Sequence, residues 1–133
     1  MAVRFPGIPL QRHPVLFFTD HAWVALKQVT DPGRYGVAEL NGKRVKSIEE
    51  KPARPRSDLA VAGIYVYPVD VFEIIRTLKP STRGELEITD VNRHYLELGR
   101  LGYTLLDGYW TDAGTPDSLA LANSLVRDMP PSF

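Results

Sequence analysis

The charged group Glu49-Glu50-Lys51, directly before Pro52, is the first stretch of this sequence whose residue types could do chemistry. Carboxylate oxygens accept hydrogen bonds from sugar hydroxyls, and a lysine ammonium suits a phosphate group. Pro52 cannot donate to a sheet ladder and favours an extended conformation at Lys51, so the pattern predicts charges projecting from a strand end. Taken alone, the group also fits an ordinary solvated charge cluster.

Asp112 is a second candidate, because it stands between a strand-like run and a helix start at Thr115-Pro116. Mg²⁺ prefers one or two carboxylates together with substrate phosphates, so Asp112 is a candidate magnesium ligand. A turn residue is the alternative that the local sequence equally supports.

The polar loop 81–87 carries a third set of charges, Arg83, Glu85 and Glu87. These side chains either contact a ligand or form a capping and ion-pair network, which contributes little at a protein surface.

A β-hairpin is the element that must position the first group. Strand-like runs at 35–40 and 43–48 flank Asn41-Gly42, and Asn-Gly between such runs is the strongest short-range hairpin signal. The hairpin places Tyr35 and Gly36 opposite the acids and Lys51. Because glycine lets a ligand approach the backbone closely, this arrangement predicts a small-ligand site; a glycine that merely eases a bulge is the alternative.

The rest of the chain alternates strands and helices. Strands are predicted at 22–29, 59–67, 103–106 and 109–111, and helices at 69–78, 88–98 and 118–127. In the first helix we expect Val71, Ile75 and Leu78 on the buried face, and in the second Thr89 or Asp90 as the N-cap.

Composition restricts the class of protein. The 133 residues suffice for one modest domain, and the formal net charge of zero, without a basic stripe, argues against a nucleic-acid polymer as partner. No apolar run approaches the length of a membrane span. Cysteine is absent, which predicts a cytoplasmic protein without disulfides or cysteine metal sites.

The order and spacing of five motifs in this sequence resemble those of the sugar-1-phosphate nucleotidylyltransferases. The resemblance is greatest to the glucose-1-phosphate thymidylyltransferase branch of that family. The resemblance runs from about residue 22 to residue 126. The motifs are Arg34-Tyr35-Gly36-Val37, Glu49-Glu50-Lys51-Pro52, Ala62-Gly63-Ile64-Tyr65, Arg83-Gly84-Glu85-Leu86-Glu87-Ile88-Thr89-Asp90 and Trp110-Thr111-Asp112-Ala113-Gly114-Thr115.

The resemblance implies an α/β, Rossmann-like nucleotidyltransferase fold: a mixed sheet with a β-hairpin and flanking helices. It also implies a reaction in which dTTP, or another nucleoside triphosphate, transfers its nucleotidyl group to glucose 1-phosphate. The products are dTDP-glucose and pyrophosphate, and the reaction serves nucleotide-sugar and polysaccharide biosynthesis. Mg²⁺ and basic side chains neutralise the phosphate charge in such a reaction.

Site residues follow from the matching motifs. Lys51 would be the catalytic residue that contacts the sugar phosphate, and Glu50 would accept hydrogen bonds from sugar hydroxyls. Asp112 would be one of two aspartates that hold Mg²⁺, and Arg83 would be a secondary substrate contact. The remaining substrate-binding positions are Tyr35, Gly36, the backbone of Val61, and Tyr65 as a wall or phosphate contact.

The sequence departs from the family at its start, where nothing resembles the glycine-rich phosphate loop that holds a triphosphate. We therefore expect an unmatched arm at 1–21, the sugar-binding part of the domain at 22–127 and a tail at 128–133, with the N-terminal nucleotide-binding half absent. Such a truncated member would bind a sugar 1-phosphate, have weak or no activity alone, and bind a nucleoside triphosphate only if the missing half is supplied. A non-catalytic sugar-phosphate-binding or assembly module is the alternative, and a remnant without function is a third. Exposed apolar sheet edges would favour a homo-oligomer.

Overall fold

The computed structural model describes residues 20–128. The described residues divide into two compact units, a sheet unit (20–105) and a helix unit (106–128). The expected arm at 1–21 and tail at 128–133 lie outside the described residues, apart from Asp20, His21 and Asp128.

A five-stranded mixed sheet forms the sheet unit, in the order β3-β2-β4-β1-β5. Strands β1 and β5 pair in parallel, and the other neighbours pair antiparallel. The strands are β1 (Ala22–Gln28), β2 (Gly36–Asn41), β3 (Arg44–Glu50), β4 (Leu59–Val66) and β5 (Leu101–Leu105). The predicted α/β fold with a mixed sheet is confirmed.

Two helices, α1 (Val71–Thr77) and α2 (Ile88–Glu97), flank this sheet. Their buried side chains pack with the start of β1 into one apolar cluster: Ala22, Val71, Ile74, Val91 and Tyr95. A second cluster comes from the strands: Val24, Leu26, Ala38, Val45, Ile48 and Val61. Helix α2 is thereby fixed against the sheet through Val91 and Tyr95, at most 1% exposed.

The predicted hairpin joins β2 to β3. Asn41 pairs with Arg44, so the two central turn residues are Gly42 and Lys43. Gly42 has φ +60°, a conformation that glycine adopts without steric cost. At the far end of the hairpin Gly36 pairs with Glu50, as the sequence predicts.

The helix unit contains α3 (Pro116–Asp128) among its described residues, 106–128. The backbone N–H of Ser118 donates to Thr115 Oγ1 at 3.2 Å, so the predicted helix start is confirmed. The predicted strand at 109–111 is wrong, since those residues form no strand. A strand needs a neighbour to pair with, and the described part of this unit supplies none.

Two predictions for the helices of the sheet unit are also wrong. The N-cap of α2 is Glu87 rather than Thr89 or Asp90, and it makes no side-chain capping bond. In α1 the buried residues are Val71 and Ile74, whereas Ile75 is 40% exposed.

Candidate functional site

The carboxylate of Glu50 lies where three elements meet. Glu50 is the last residue of β3 and is half-buried. Its Cα partner across the hairpin is Gly36, the first residue of β2. From α2, the hydroxyl of Thr89 donates to Glu50 Oε2 at 2.5 Å. The acid that the sequence singled out is therefore held in place and is not a freely solvated surface charge.

Gly36 is a glycine for reasons of space. A Cβ at this position would lie 3.2 Å from Thr89 Oγ1, 3.3 Å from Glu50 Oε2 and 3.5 Å from Val61 Cγ2. The first two distances are tighter than ordinary van der Waals contacts. Residues from β2, β3, β4 and α2 therefore converge on one point, which we call the Glu50 cluster: Gly36, Glu50, Val61 and Thr89.

Lys51 follows directly after this cluster. Its side chain is exposed, and its φ of +40° makes it the one described residue other than glycine with a positive φ. The prediction of an extended Lys51 is therefore wrong. The N–H of Lys51 still donates to the carbonyl of Tyr35 at 3.0 Å, so the hairpin ladder holds the residue in this conformation. Backbone of this kind persists only where the surrounding structure over-determines it, and it is frequent at ligand sites.

Tyr65, on β4, is within electrostatic range of Glu50. Burial raises the pKa of the Tyr65 phenol, and the Glu50 charge raises it further. The ring stacks on that of Tyr67, with centroids 5.6 Å apart. The Tyr67 hydroxyl in turn donates to Oδ1 of the fully buried Asn92 at 2.5 Å. The stacked rings of Tyr65 and Tyr67 are thus tied to α2 through the hydrogen bond between Tyr67 and Asn92.

Three residues of this region were missed by sequence reasoning: Thr89, Tyr67 and Asn92. The signal that would have found two of them is their spacing. Thr89 and Asn92 are three residues apart on α2 and so share a face, and both are at most 2% exposed beside the apolar Val91 and Tyr95. A buried polar group needs a partner, which predicts contacts of this kind.

Arg83 is held by its neighbours in the loop before α2. Its guanidinium lies 3.1 Å from Glu85 and 3.4 Å from Glu87, and its side chain is 43% exposed. This is the local ion-pair network that the sequence allowed as one reading. A contact between Arg83 and a substrate remains a prediction.

Asp112 belongs to the helix unit, while Glu50 and Lys51 belong to the sheet unit. A Cβ at Gly114 would lie 3.1 Å from Asp112 Oδ2, so the carboxylate folds over the backbone before α3. Within residues 20–128, no group of three or more His, Cys, Asp or Glu side chains is placed to hold a metal ion. A single carboxylate fits Mg²⁺ as one ligand among substrate phosphates and water, which is how this ion is usually bound.

None of the helices in the described part of the chain is both long enough and apolar enough to cross a membrane.

Comparison with known proteins identifies the class. The family model described as nucleotidyl transferase matches residues 15–129, so the chain belongs to that family. A glucose-1-phosphate thymidylyltransferase of Actinoplanes sp. is 57% identical over 102 residues, which are 74% of this chain and 34% of the relative. Another, from Neisseria meningitidis, is 51% identical over 112 residues, which are 82% of this chain and 39% of the relative. The chain thus spans between a third and two fifths of the length of these relatives.

Solved structures agree with this assignment. A Bacillus anthracis protein described as a glucose-1-phosphate thymidylyltransferase, crystallised with sucrose, superposes with a TM-score of 0.76 at 51% identity. The match covers 86% of this chain and 46% of that one. A UDP-glucose pyrophosphorylase complexed with UDP-glucose gives a TM-score of 0.72 at 27% identity, covering 81% of this chain and 45% of that one. The mixed α/β fold is shared with nucleotidyltransferases.

Proposed function

We propose that this chain supplies the sugar-phosphate-binding part of a glucose-1-phosphate thymidylyltransferase. The observation that carries the proposal is the Glu50 cluster, in which a hydrogen-bonded carboxylate faces a glycine at a strand end. The relatives of this chain are named for this activity.

The roles follow from the chemistry of the groups. Glu50 accepts hydrogen bonds from glucose hydroxyls, and the backbones of Gly36 and Val61 line the sugar pocket. The missing side chain at Gly36 leaves room for the Glu50 carboxylate beside Thr89. Tyr65 forms the adjoining wall. Lys51 places its ammonium beside the phosphate, where a charge-assisted contact is stronger than one between neutral groups. Tyr35 fixes the backbone at Lys51 through its carbonyl.

In the whole reaction a phosphate oxygen of glucose 1-phosphate attacks the α-phosphorus of dTTP. The new P–O bond forms as the bond to the β-phosphate breaks, and pyrophosphate leaves with its electron pair. Asp112 would hold Mg²⁺, which supplies charge neutralisation when bound. Arg83 would give a secondary contact if ligand binding releases it from its acidic neighbours. We expect turnover by the 133-residue chain alone to be weak, because its sequence shows no recognisable glycine-rich triphosphate loop.

The test separates sugar-phosphate binding from turnover. Isothermal titration with glucose 1-phosphate should show saturable binding, and Lys51→Ala should weaken it about tenfold, the value of one charge-assisted hydrogen bond. Lys43→Ala is the matched control, since Lys43 is an exposed lysine in the turn at the opposite end of the same hairpin. Equal affinity of Lys51→Ala and Lys43→Ala would contradict the role of Lys51.

Pyrophosphate release with dTTP, glucose 1-phosphate and Mg²⁺ is the second measurement. Release at an ordinary enzyme rate, about 1–10³ per second, would show that the triphosphate site is present after all.

A non-catalytic binding or assembly module is the second candidate. The observation in its favour is apolar surface on and before α1, where Val69 is 86% and Phe72 is 64% exposed. Large apolar side chains left in water favour association. Saturable glucose 1-phosphate binding without pyrophosphate release, from a species that elutes as an oligomer, would support this candidate over the enzyme.

A further inference from the structure

Thr89 is a buried polar residue whose hydroxyl is not needed by its own helix. It is the second residue of α2, is 2% exposed, and contributes no side-chain cap. Threonine near a helix start usually bonds to the backbone there. Here its hydroxyl instead reaches a residue 39 positions away, Glu50, at 2.5 Å.

The two oxygens of the Glu50 carboxylate are therefore unequal. Oε2 accepts from Thr89 and lies against Gly36. Among the described residues, no comparable donor reaches Oε1, which keeps its lone pairs for a ligand. The terminal torsion of a glutamate is broad, so a carboxylate without a fixed partner samples many orientations. A donor on a rigid, buried helix removes that freedom.

We propose that Thr89 is a positioning residue for sugar recognition: it orients the Glu50 carboxylate so that Oε1 faces the glucose hydroxyls. This inference rests on the proposed function. Thr89 itself does not touch the sugar and acts through Glu50. The free energy gained is that of pre-organisation, because the ordering cost is met in folding and not in binding.

Two substitutions isolate the hydroxyl. Thr89→Val keeps the shape of the side chain and removes the donor, whereas Thr89→Ser keeps the donor. We expect Thr89→Val to weaken glucose 1-phosphate binding about tenfold in isothermal titration, and Thr89→Ser to stay within about threefold of wild type. In a Glu50→Gln background Thr89→Val should add little further loss, because both residues act through one carboxylate.

Inorganic phosphate provides the readout that a merely structural role would not give. It engages the phosphate side of the site without sugar hydroxyls, so its affinity should be the same in wild type and Thr89→Val. An equal loss for both ligands would overturn the inference, as would unchanged glucose 1-phosphate binding in Thr89→Val. If the wild-type chain binds no glucose 1-phosphate, the proposed function fails, and this inference fails with it. If the wild-type chain binds glucose 1-phosphate and Thr89→Val binds it equally well, only this inference fails.

Discussion

Gly36→Ala is the substitution for which the structure gives the sharpest prediction. The new Cβ would lie 3.2 Å from Thr89 Oγ1 and 3.3 Å from Glu50 Oε2. The Thr89 hydroxyl donates a hydrogen bond to Glu50 Oε2 at 2.5 Å, so neither oxygen can move away without disturbing this hydrogen bond. The methyl group therefore has to displace the carboxylate by a few tenths of an ångström.

The effect on stability is modest. Overpacking of this kind costs about 1–3 kcal/mol. Replacing a strand glycine by alanine returns about 0.5–1 kcal/mol through reduced backbone freedom in the unfolded chain. We expect a net loss of about 1 kcal/mol in the free energy of unfolding, measured by urea denaturation. The affinity for glucose 1-phosphate should fall at least about tenfold, because the acceptor is moved from its working position.

Gly102→Ala is the matched control, since Gly102 is also a strand glycine of the sheet unit. Its Cβ would lie 2.8 Å from the Trp23 ring, so it should destabilise the fold more than Gly36→Ala does. Because Gly102 is not part of the Glu50 cluster, its variant should bind glucose 1-phosphate with wild-type affinity once folded. The reasoning is refuted if Gly36→Ala binds normally, or if both variants lose the same fraction of affinity.

Two further predictions concern the polar groups that hold α1 and α2. The Tyr95 hydroxyl and the Arg100 guanidinium lower the pKa of Asp70 below its ordinary 3.8, so this interaction stabilises the fold fully above that value and is lost as pH falls through the lowered pKa. The stability difference between wild type and Asp70→Asn in urea should therefore be constant near neutral pH and shrink as the pH falls below 3.8. A difference that stays constant on acidification below pH 3.8 would contradict the assignment. Tyr67→Phe should lower the free energy of unfolding by about 1–3 kcal/mol, because it leaves the buried Asn92 Oδ1 without its donor. The double variant Tyr67→Phe with Asn92→Leu should recover part of that loss in the same urea assay. An unchanged free energy of unfolding in Tyr67→Phe would contradict this role of the hydrogen bond.

The hairpin shows what the sequence could predict. A turn signal between two alternating runs predicts the hairpin, and the hairpin brings the start of β2 near the end of β3, where Gly36 pairs with Glu50. The turn signal therefore placed Gly36 and Glu50 in the same region of the sheet, although it did not fix their pairing. The observed turn is centred one residue later than the Asn41-Gly42 pair, and the ladder shifts again between Glu39 and Leu40. A tight turn at Asn41-Gly42 with an unbroken ladder would instead have placed Gly36 opposite Ser47.

The residues that were placed wrongly depend on long-range packing. In α1, Val71, Phe72, Ile74 and Ile75 are all apolar, so periodicity could not decide which face is buried. Thr89 was assigned a local capping role because its true partner, Glu50, is distant in sequence. A strong signal for local structure carries no information about such a contact, and only the packing of α2 on the sheet creates it.

The central claim, that the Glu50 cluster binds a sugar phosphate, is tested most directly by residue-resolved NMR. Titration of ¹⁵N-labelled chain with glucose 1-phosphate should shift the amide resonances of Gly36, Glu50, Lys51 and Val61 together, with one dissociation constant. The amides of the hairpin turn at Gly42 and Lys43 should not move. Glu50→Gln should raise the dissociation constant of this response, while its spectrum should remain that of a folded protein. Saturable shifts elsewhere in the chain with none at the cluster, or an unchanged dissociation constant in Glu50→Gln, would contradict the account.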